Sequence, residues 1–521
     1  MMFSRSRLIV TAVVCGAVLA LGACGGADPA SPTGGATGEP VAGGHGRILM
    51  LSDPRSLDPA TLGNAYATTG ALGNALYGTL MTTDDAGEIQ YTMAESFTTT
   101  DGGATFTLKL RPGLTFSDGT PLDAEAVKFD WDRLKDPATR ATNLSEASMI
   151  SSTEVVDSTT LKITMVAPAP KYAHSVITST LNWIASPAAL QKGAQAFDAA
   201  PVGAGPFTLT SWTRQAAIEL ARNPRYWDAP RPYLDRLTLR TTSDTGQRFN
   251  TVLTGGADVA IESNPVNIEK ATDAGLPTTV MALSGGTFIA LNTRRAPFDD
   301  VRARQAVAAA LDMDALNLAV YNGKGEPVDT LFSDTSPFHS DTPLRTTDKA
   351  TAQRLFDELA AEGKPVTFTY SSAPTTENRN TAENIQAQLG AFKNVKVNVK
   401  VIEVTELAAL RTTHDFDAAT SSAFFQDPEP RLWTAFAASS AANLSGINDQ
   451  ELNDALLAGR TGTSEQERAA AYKTVQQRLT ELSPVVFLTR AEPSAIAGKN
   501  VGGLIQYGLG SLLPDQIWIQ K

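Results

Sequence analysis

The sequence predicts a mixed α/β fold with more than one lobe, and three observations carry that prediction. Strand-like alternation and helix-like periodicity interleave over the whole length instead of segregating. Roughly 475 residues remain beyond an N-terminal leader and a Gly/Pro/Ser-rich stretch, too many for one small core. No short-period repeat is present, so a solenoid or propeller does not account for the length.

Taken in order, the chain opens on Arg5 and Arg7, then an apolar run from Leu8 to Leu21. That run has the length of a signal peptide and falls short of the ~20 residues of a membrane span. It ends in Leu21-Gly22-Ala23-Cys24. Small residues before a lone Cys let a peptidase bind the extended chain, and the thiol is then free to take a diacylglyceryl group. The pattern resembles the lipobox of bacterial lipoproteins, which implies a signal peptide over 1–23 and lipidation at Cys24. Cys15 follows the larger Val14 inside the apolar run and should leave with the leader. Residues 25 to 44 hold almost nothing that could fill a core and read as a flexible tether.

The body begins with turn and strand signals. Phe106, Leu108 and Leu110 alternate with Thr107, Lys109 and Arg111, after a turn at Asp101-Gly102-Gly103. Asp123 is placed to cap a helix carrying Val127, Phe129, Trp131 and Leu134. Trp131 lies off the Val127/Leu134 face, so that helix should pack on more than one side. Gly203, Gly205 and Pro206 make a stiff bend before strands around Phe207 and Ile218. A strand ends near Asn292, and Asp299 or Asp300 caps the next helix. Residues 378 to 392 read as an amphipathic helix, 395 to 404 as a strand, and 484 to 490 as a short buried strand.

Composition narrows function. The formal net charge is −12, and loss of Arg5 and Arg7 makes the mature chain more acidic still. That argues against nucleic acid and anionic membrane surfaces as partners. With Cys15 removed and Cys24 acylated, no disulfide or thiol chemistry remains. His45, His174, His339 and His414 lie far apart, without metal-ligand spacing, so neither a metal nor a cofactor is expected. The hydrolase motifs G-x-S-x-G, H-E-x-x-H and S-x-x-K with its partners are missing, so an enzyme is not expected.

Five segments, in order, resemble the large extracytoplasmic solute-binding proteins of ABC importers, the peptide/nickel type called family 5. They are Ser56-Leu57-Asp58-Pro59, Tyr77-Gly78-Thr79-Leu80, the stretch 91–135, the stretch from Pro201 to Trp227, and Asn292 to Leu311. The resemblance implies a two-lobed periplasmic-binding-protein-like fold of type II, cluster C, with an extra inserted domain. By that scheme domain I takes 45–75, 203–284 and 486–521, the insertion takes 76–202, and domain III takes 285–485. Crossings near 284 and 486 would form the hinge. A monomeric, lipid-anchored receptor on the outer face of the membrane is implied, delivering a di- or oligopeptide or similar polar solute to permease subunits. Other implied readings are a non-peptide solute (an oligosaccharide, a blocked or cyclic peptide, another metabolite) and a cell-envelope sensor of the same fold.

The same resemblance points to 417–430 for solute contact. In peptide-binding relatives the Asp that pairs with the peptide's α-ammonium falls at Gln426 here, the motif's Trp at Ala423, and an Arg of some members at Thr420. A Gln oxygen accepts a hydrogen bond from an ammonium but does not neutralise it, and burying an unpaired charge is costly. Either Asp427 takes the role by a local shift or the solute lacks a free ammonium. Glu429 is assigned to solute contact or to capping the helix that begins near Pro430. Phe424, Phe425 and Trp433 are candidates for the cleft wall or for core, Tyr77 for the cleft edge or for core. Arg379 is a candidate for a carboxylate or a solvated helix-start residue. Trp212, Tyr226 and Trp227 are expected in the core.

Overall fold

The computed structural model describes residues 36, 38–403, 406, 409, 410 and 413–521. Cys24 and the leader lie outside the described residues, as do most of the tether and part of 404–412. No helix among the described residues is long and apolar enough to cross a membrane.

Three sheets organise the body. The first has seven strands, in the spatial order Thr278–Val280, Ser494–Ala497, Val259–Glu262, His45–Met50, Arg236–Thr241, Ala217–Arg222 and Phe207–Thr213. His45–Met50 runs parallel to both neighbours. Val259–Glu262 is wholly buried, as expected for a central strand covered on both faces. The helix Gly70–Tyr77 packs close to the bend after Ala200. A Cβ on Gly203 would stand 2.2 Å from the Leu76 carbonyl oxygen and one on Gly205 2.4 Å from the Leu76 carbonyl carbon. The glycines are there for backbone approach.

The second sheet has four antiparallel strands, in the order Ala94–Thr98, Thr105–Leu110, Thr160–Met165 and Ile150–Asp157. Alternation along Thr105–Leu110 puts Phe106, Leu108 and Leu110 inside. The helix Ala124–Arg133 covers that face, with Asp123 accepting the Ala126 N–H as its cap. Trp131 is fully buried and donates its Nε1–H to the Leu181 carbonyl at 2.9 Å. Phe97 and Phe106 stack with centroids 4.8 Å apart.

The third sheet has five strands, in the order Val395–Val401, Val366–Ser372, Ala418–Phe425, Ser284–Leu291 and Val485–Phe487. The helix Val301–Ala310 follows, capped by Asp300, and Thr376–Gly390 covers another part of the sheet. The chain passes between the first and third sheets twice, through 281–284 and 488–493. The two passages lie side by side: Met281 N–H donates to Pro493 O at 2.9 Å, and at the start of the third sheet Thr287 N–H donates to Thr489 O and Leu488 N–H to Thr287 O, both at 2.9 Å. Gly285 there has φ +73°, and a Cβ on Gly286 would stand 2.8 Å from the Thr489 carbonyl oxygen.

One expectation about the scaffold is corrected. Trp212, Tyr226 and Trp227 are half-buried and not core. Trp212 sits on the edge strand Phe207–Thr213, and the Arg214 guanidinium covers its ring at 3.8 Å. Arg111 covers Trp227 at 5.1 Å. Arginine stems and cation–π contact shield these rings where the scaffold leaves one face open.

Candidate functional site

A cavity of about 400 Å³ opens between the group built on the four-stranded sheet and the group built on the five-stranded sheet. The first contributes residues 85–89, Lys171 and His174; the second contributes Ser333, 335–338, Phe425, Gln426, Asp427 and Arg468. Ala282 and Ser284, on one of the two passages between sheets, also line it. That size suits a small polar molecule.

Gln426 follows directly on the strand Ala418–Phe425, which places it at the strand's cavity end. Its Oε1 accepts the Thr83 hydroxyl at 2.9 Å, across the cleft. Thr83 Oγ1 in turn accepts the Gly508 N–H at 3.0 Å. One lone pair of the Gln426 oxygen is therefore already taken.

Asp427 is taken too. Arg468 holds it in a fork, Nη1 to Oδ2 at 2.8 Å and Nη2 to Oδ1 at 2.6 Å. The Glu429 N–H adds a third hydrogen bond to Oδ1 at 2.9 Å. His174 Nε2 stands 4.0 Å from Oδ2, reaching over from the other wall. Burial works to raise the Asp427 carboxyl, but His174 and the Arg468 fork outweigh it and hold it below the usual carboxylate range. Burial pushes the His174 imidazole down, more than Asp427 pulls it up. Arg468 also lies over the Phe338 ring at 4.9 Å.

Glu429 points inward and makes no cap. The helix Arg431–Phe436 has Pro430 at its N-cap with no side-chain hydrogen bond. The Glu429 carboxyl is 4% exposed, with Oε2 3.5 Å from Arg460 Nε and Oε1 lacking any hydrogen-bond partner. Burial pushes it up to about 7, against the pull of Arg460. Arg460 also lies 4.6 Å over Trp433 and donates from Nη2 to Met149 Sδ at 3.0 Å, so it joins the two walls.

The remaining predicted residues are scattered. Phe425 lines the cavity with a ring mostly in the core, edge-on to Phe332 at 5.7 Å. Phe424 alternates to the other face and packs against Met281, Leu283 and Leu509. Tyr77 is fully buried, its hydroxyl donating to the Leu57 carbonyl, and does not line the cavity. Trp433 is half-buried beneath Arg460. Arg379 is exposed on the helix Thr376–Gly390, away from the cavity. Thr420 bonds the Tyr370 hydroxyl at 2.9 Å.

Sequence reasoning did not select Thr83, Lys171, His174 and Arg468. Only Arg468 left a readable trace. The helix Glu465–Leu482 buries Arg468, Ala471, Tyr472, Val475, Gln476 and Leu479. A charge on an otherwise apolar stripe at helical spacing signals a buried partner. No cluster of three or more His, Cys, Asp or Glu among the described residues is arranged to hold a metal ion.

Residues 88–443 match the family described as bacterial extracellular solute-binding proteins, family 5 Middle. This chain belongs to that family. It is a solute-binding protein of the ABC-importer class and not an enzyme. The glutathione-binding protein GsiB of Escherichia coli K12 is 26% identical over 484 residues, covering 88% of this chain and 91% of that one. The binding protein AgaA of A. tumefaciens R10, solved with agropinic acid, superposes with TM-score 0.79 at 25% identity, covering 92% of this chain and 99% of AgaA. DppA of Helicobacter pylori, solved with the peptide STSA, gives TM-score 0.80 at 23% identity over 92% and 99% of the two chains. These neighbours share the two-lobed fold, with the mixed sheets described above.

Proposed function

We propose that this family member is a lipid-anchored receptor that captures a polar solute in the cavity between its two walls and hands it to the permease of an ABC importer. The observation that carries the reading is the cavity's position. Its walls come from two separately built sheet groups, and among the described residues the chain passes between the first and third sheets only through the paired segments 281–284 and 488–493. A solute that touches both walls makes its full contacts only when they approach, so binding shifts the open–closed balance. The division into 45–75, 203–284 and 486–521, with 76–202 inserted and 285–485 as the opposing lobe, follows the same logic, with the paired passages as hinge. Peptides or peptide-like solutes are the cargo class that GsiB and DppA suggest.

The anchor rests on Leu21-Gly22-Ala23-Cys24 and the tether after it. Expression of the full chain with Cys24→Ala tests it. Loss of the chain from the membrane fraction, and loss of the acyl mass from its N-terminus, is expected; retention in membranes would refute the anchor. Small-angle scattering of the full chain in detergent tests the receptor reading, which expects compaction when a bound solute is restored after its removal.

A further inference from the structure

The hydrogen-bond polarity of the cavity narrows the cargo, given the receptor reading above. Gln426 is an amide whose oxygen carries two lone pairs and whose nitrogen carries two N–H donors. Thr83 Oγ1 already accepts the Gly508 N–H at 3.0 Å and gives its own proton to Gln426 Oε1 at 2.9 Å. In this arrangement the amide oxygen faces Thr83, whose own proton is committed to it. The Nε2 donors are left for the cavity, with no protein partner among the described residues.

The carboxylate beside it is spent. Both oxygens of Asp427 are held by Arg468, at 2.8 and 2.6 Å, and one also by the Glu429 N–H. An incoming ammonium would have to compete with a guanidinium fork that is itself buried. The hydroxyls on the floor are engaged with one another: Ser284 with Ser333 at 3.3 Å, and Ser333 with Thr335 at 3.2 Å. The half-buried charge left over is Lys171, which has no ion-pair or hydrogen-bond partner among the described residues. It stands three residues before His174, on the wall that faces Asp427. Asp85, Glu88 and Glu465 also border the cavity, but they are exposed, where water and salt screen them.

We propose that the cargo presents a carboxylate, not an ammonium, to the wall formed by Gln426 and Lys171. The amide N–H groups and the lysine ammonium supply donors and one positive charge, which a carboxylate satisfies and an ammonium does not.

The full chain in detergent, stripped of bound solute by mild denaturation and refolded, is challenged with three pools. One holds carboxylates without an amine: N-acetyl amino acids, N-acetyl dipeptides and sugar acids. One holds amines without a carboxylate: amino-acid and dipeptide amides. One holds neutral oligosaccharides. The expected result is a rise in thermal midpoint with the carboxylate pool alone. The responsible compound should bind Gln426→Asp at least tenfold more weakly, because a carboxylate then faces a carboxylate. Lys171→Gln should bind it several-fold more weakly and lose much of the dependence on salt. A response confined to the amine pool or the neutral pool, or tighter binding by Gln426→Asp, overturns the carboxylate assignment and leaves the receptor reading standing. No response to any pool also overturns the carboxylate assignment, and the receptor reading is then decided by the scattering test with the restored bound solute.

Discussion

The two walls of the cavity are built on opposite electrostatic plans. On the five-stranded-sheet side every buried charge near the cavity faces a protein partner: Asp427 with Arg468, and Glu429 with Arg460. On the four-stranded-sheet side Lys171 stands unpaired among the described residues, and Asp85 and Glu88 are exposed. The first wall is an internally neutralised surface that offers dipoles. The second leaves an unpaired charge at the cavity's edge among the described residues. Removing a partner from a buried charge of the first wall should therefore alter folding stability, and removing Lys171 from the second should alter solute response.

The largest effect should come from breaking the fork. Arg468→Leu leaves Asp427 buried without its partner and should cost about 3–5 kcal/mol of stability, read from urea denaturation. Adding Asp427→Asn should return most of that loss. A cost below about 1 kcal/mol for Arg468→Leu would mean that the wall is not self-neutralised.

Glu429 sharpens the contrast through pH. Its carboxyl is raised to about 7, above the unfolded value, so the buried group favours the protonated form. The wild type is then penalised progressively as pH rises from the unfolded value through about 7. Glu429→Gln should be more stable than wild type at pH 8, by roughly 2 kcal/mol or less, with the gain gone near pH 4. Thermal midpoints across that range check the sign; an advantage that grows toward low pH contradicts the assignment.

Smaller effects separate the walls further. Thr83→Val leaves Gln426 Oε1 and the Gly508 N–H without their shared partner and should cost roughly 1–2 kcal/mol. Lys171→Gln should change stability by no more than about 0.5 kcal/mol. Arg379→Ala, exposed and remote from the cavity, should change neither stability nor solute response.

Much of the scaffold was legible because local rules and tertiary packing agree there. Asp123 caps the helix it was expected to cap, Asp300 is the cap of the two candidates 299 and 300, and Phe106, Leu108 and Leu110 point inward as their alternation requires. Trp212, Tyr226 and Trp227 misled because a large ring reads as core, whereas arginine side chains cover two of the three from outside. The candidate site was legible only as a segment. Position 426 was found from the motif frame, but its partner Thr83 lies 343 residues away on another sheet group. The Asp427–Arg468 fork spans 41 residues between a strand end and a helix. Such pairings depend on how the walls meet, which no local pattern encodes.

The most direct test of the account is native mass spectrometry of the full chain, purified in detergent without denaturation, beside a Gln426→Trp variant. Gln426 lines the cavity, so an indole there should fill it. The account predicts one small-molecule adduct per wild-type chain and none on the variant, with matching circular dichroism. The same adduct on both proteins would place the solute elsewhere and contradict the cavity as the binding site.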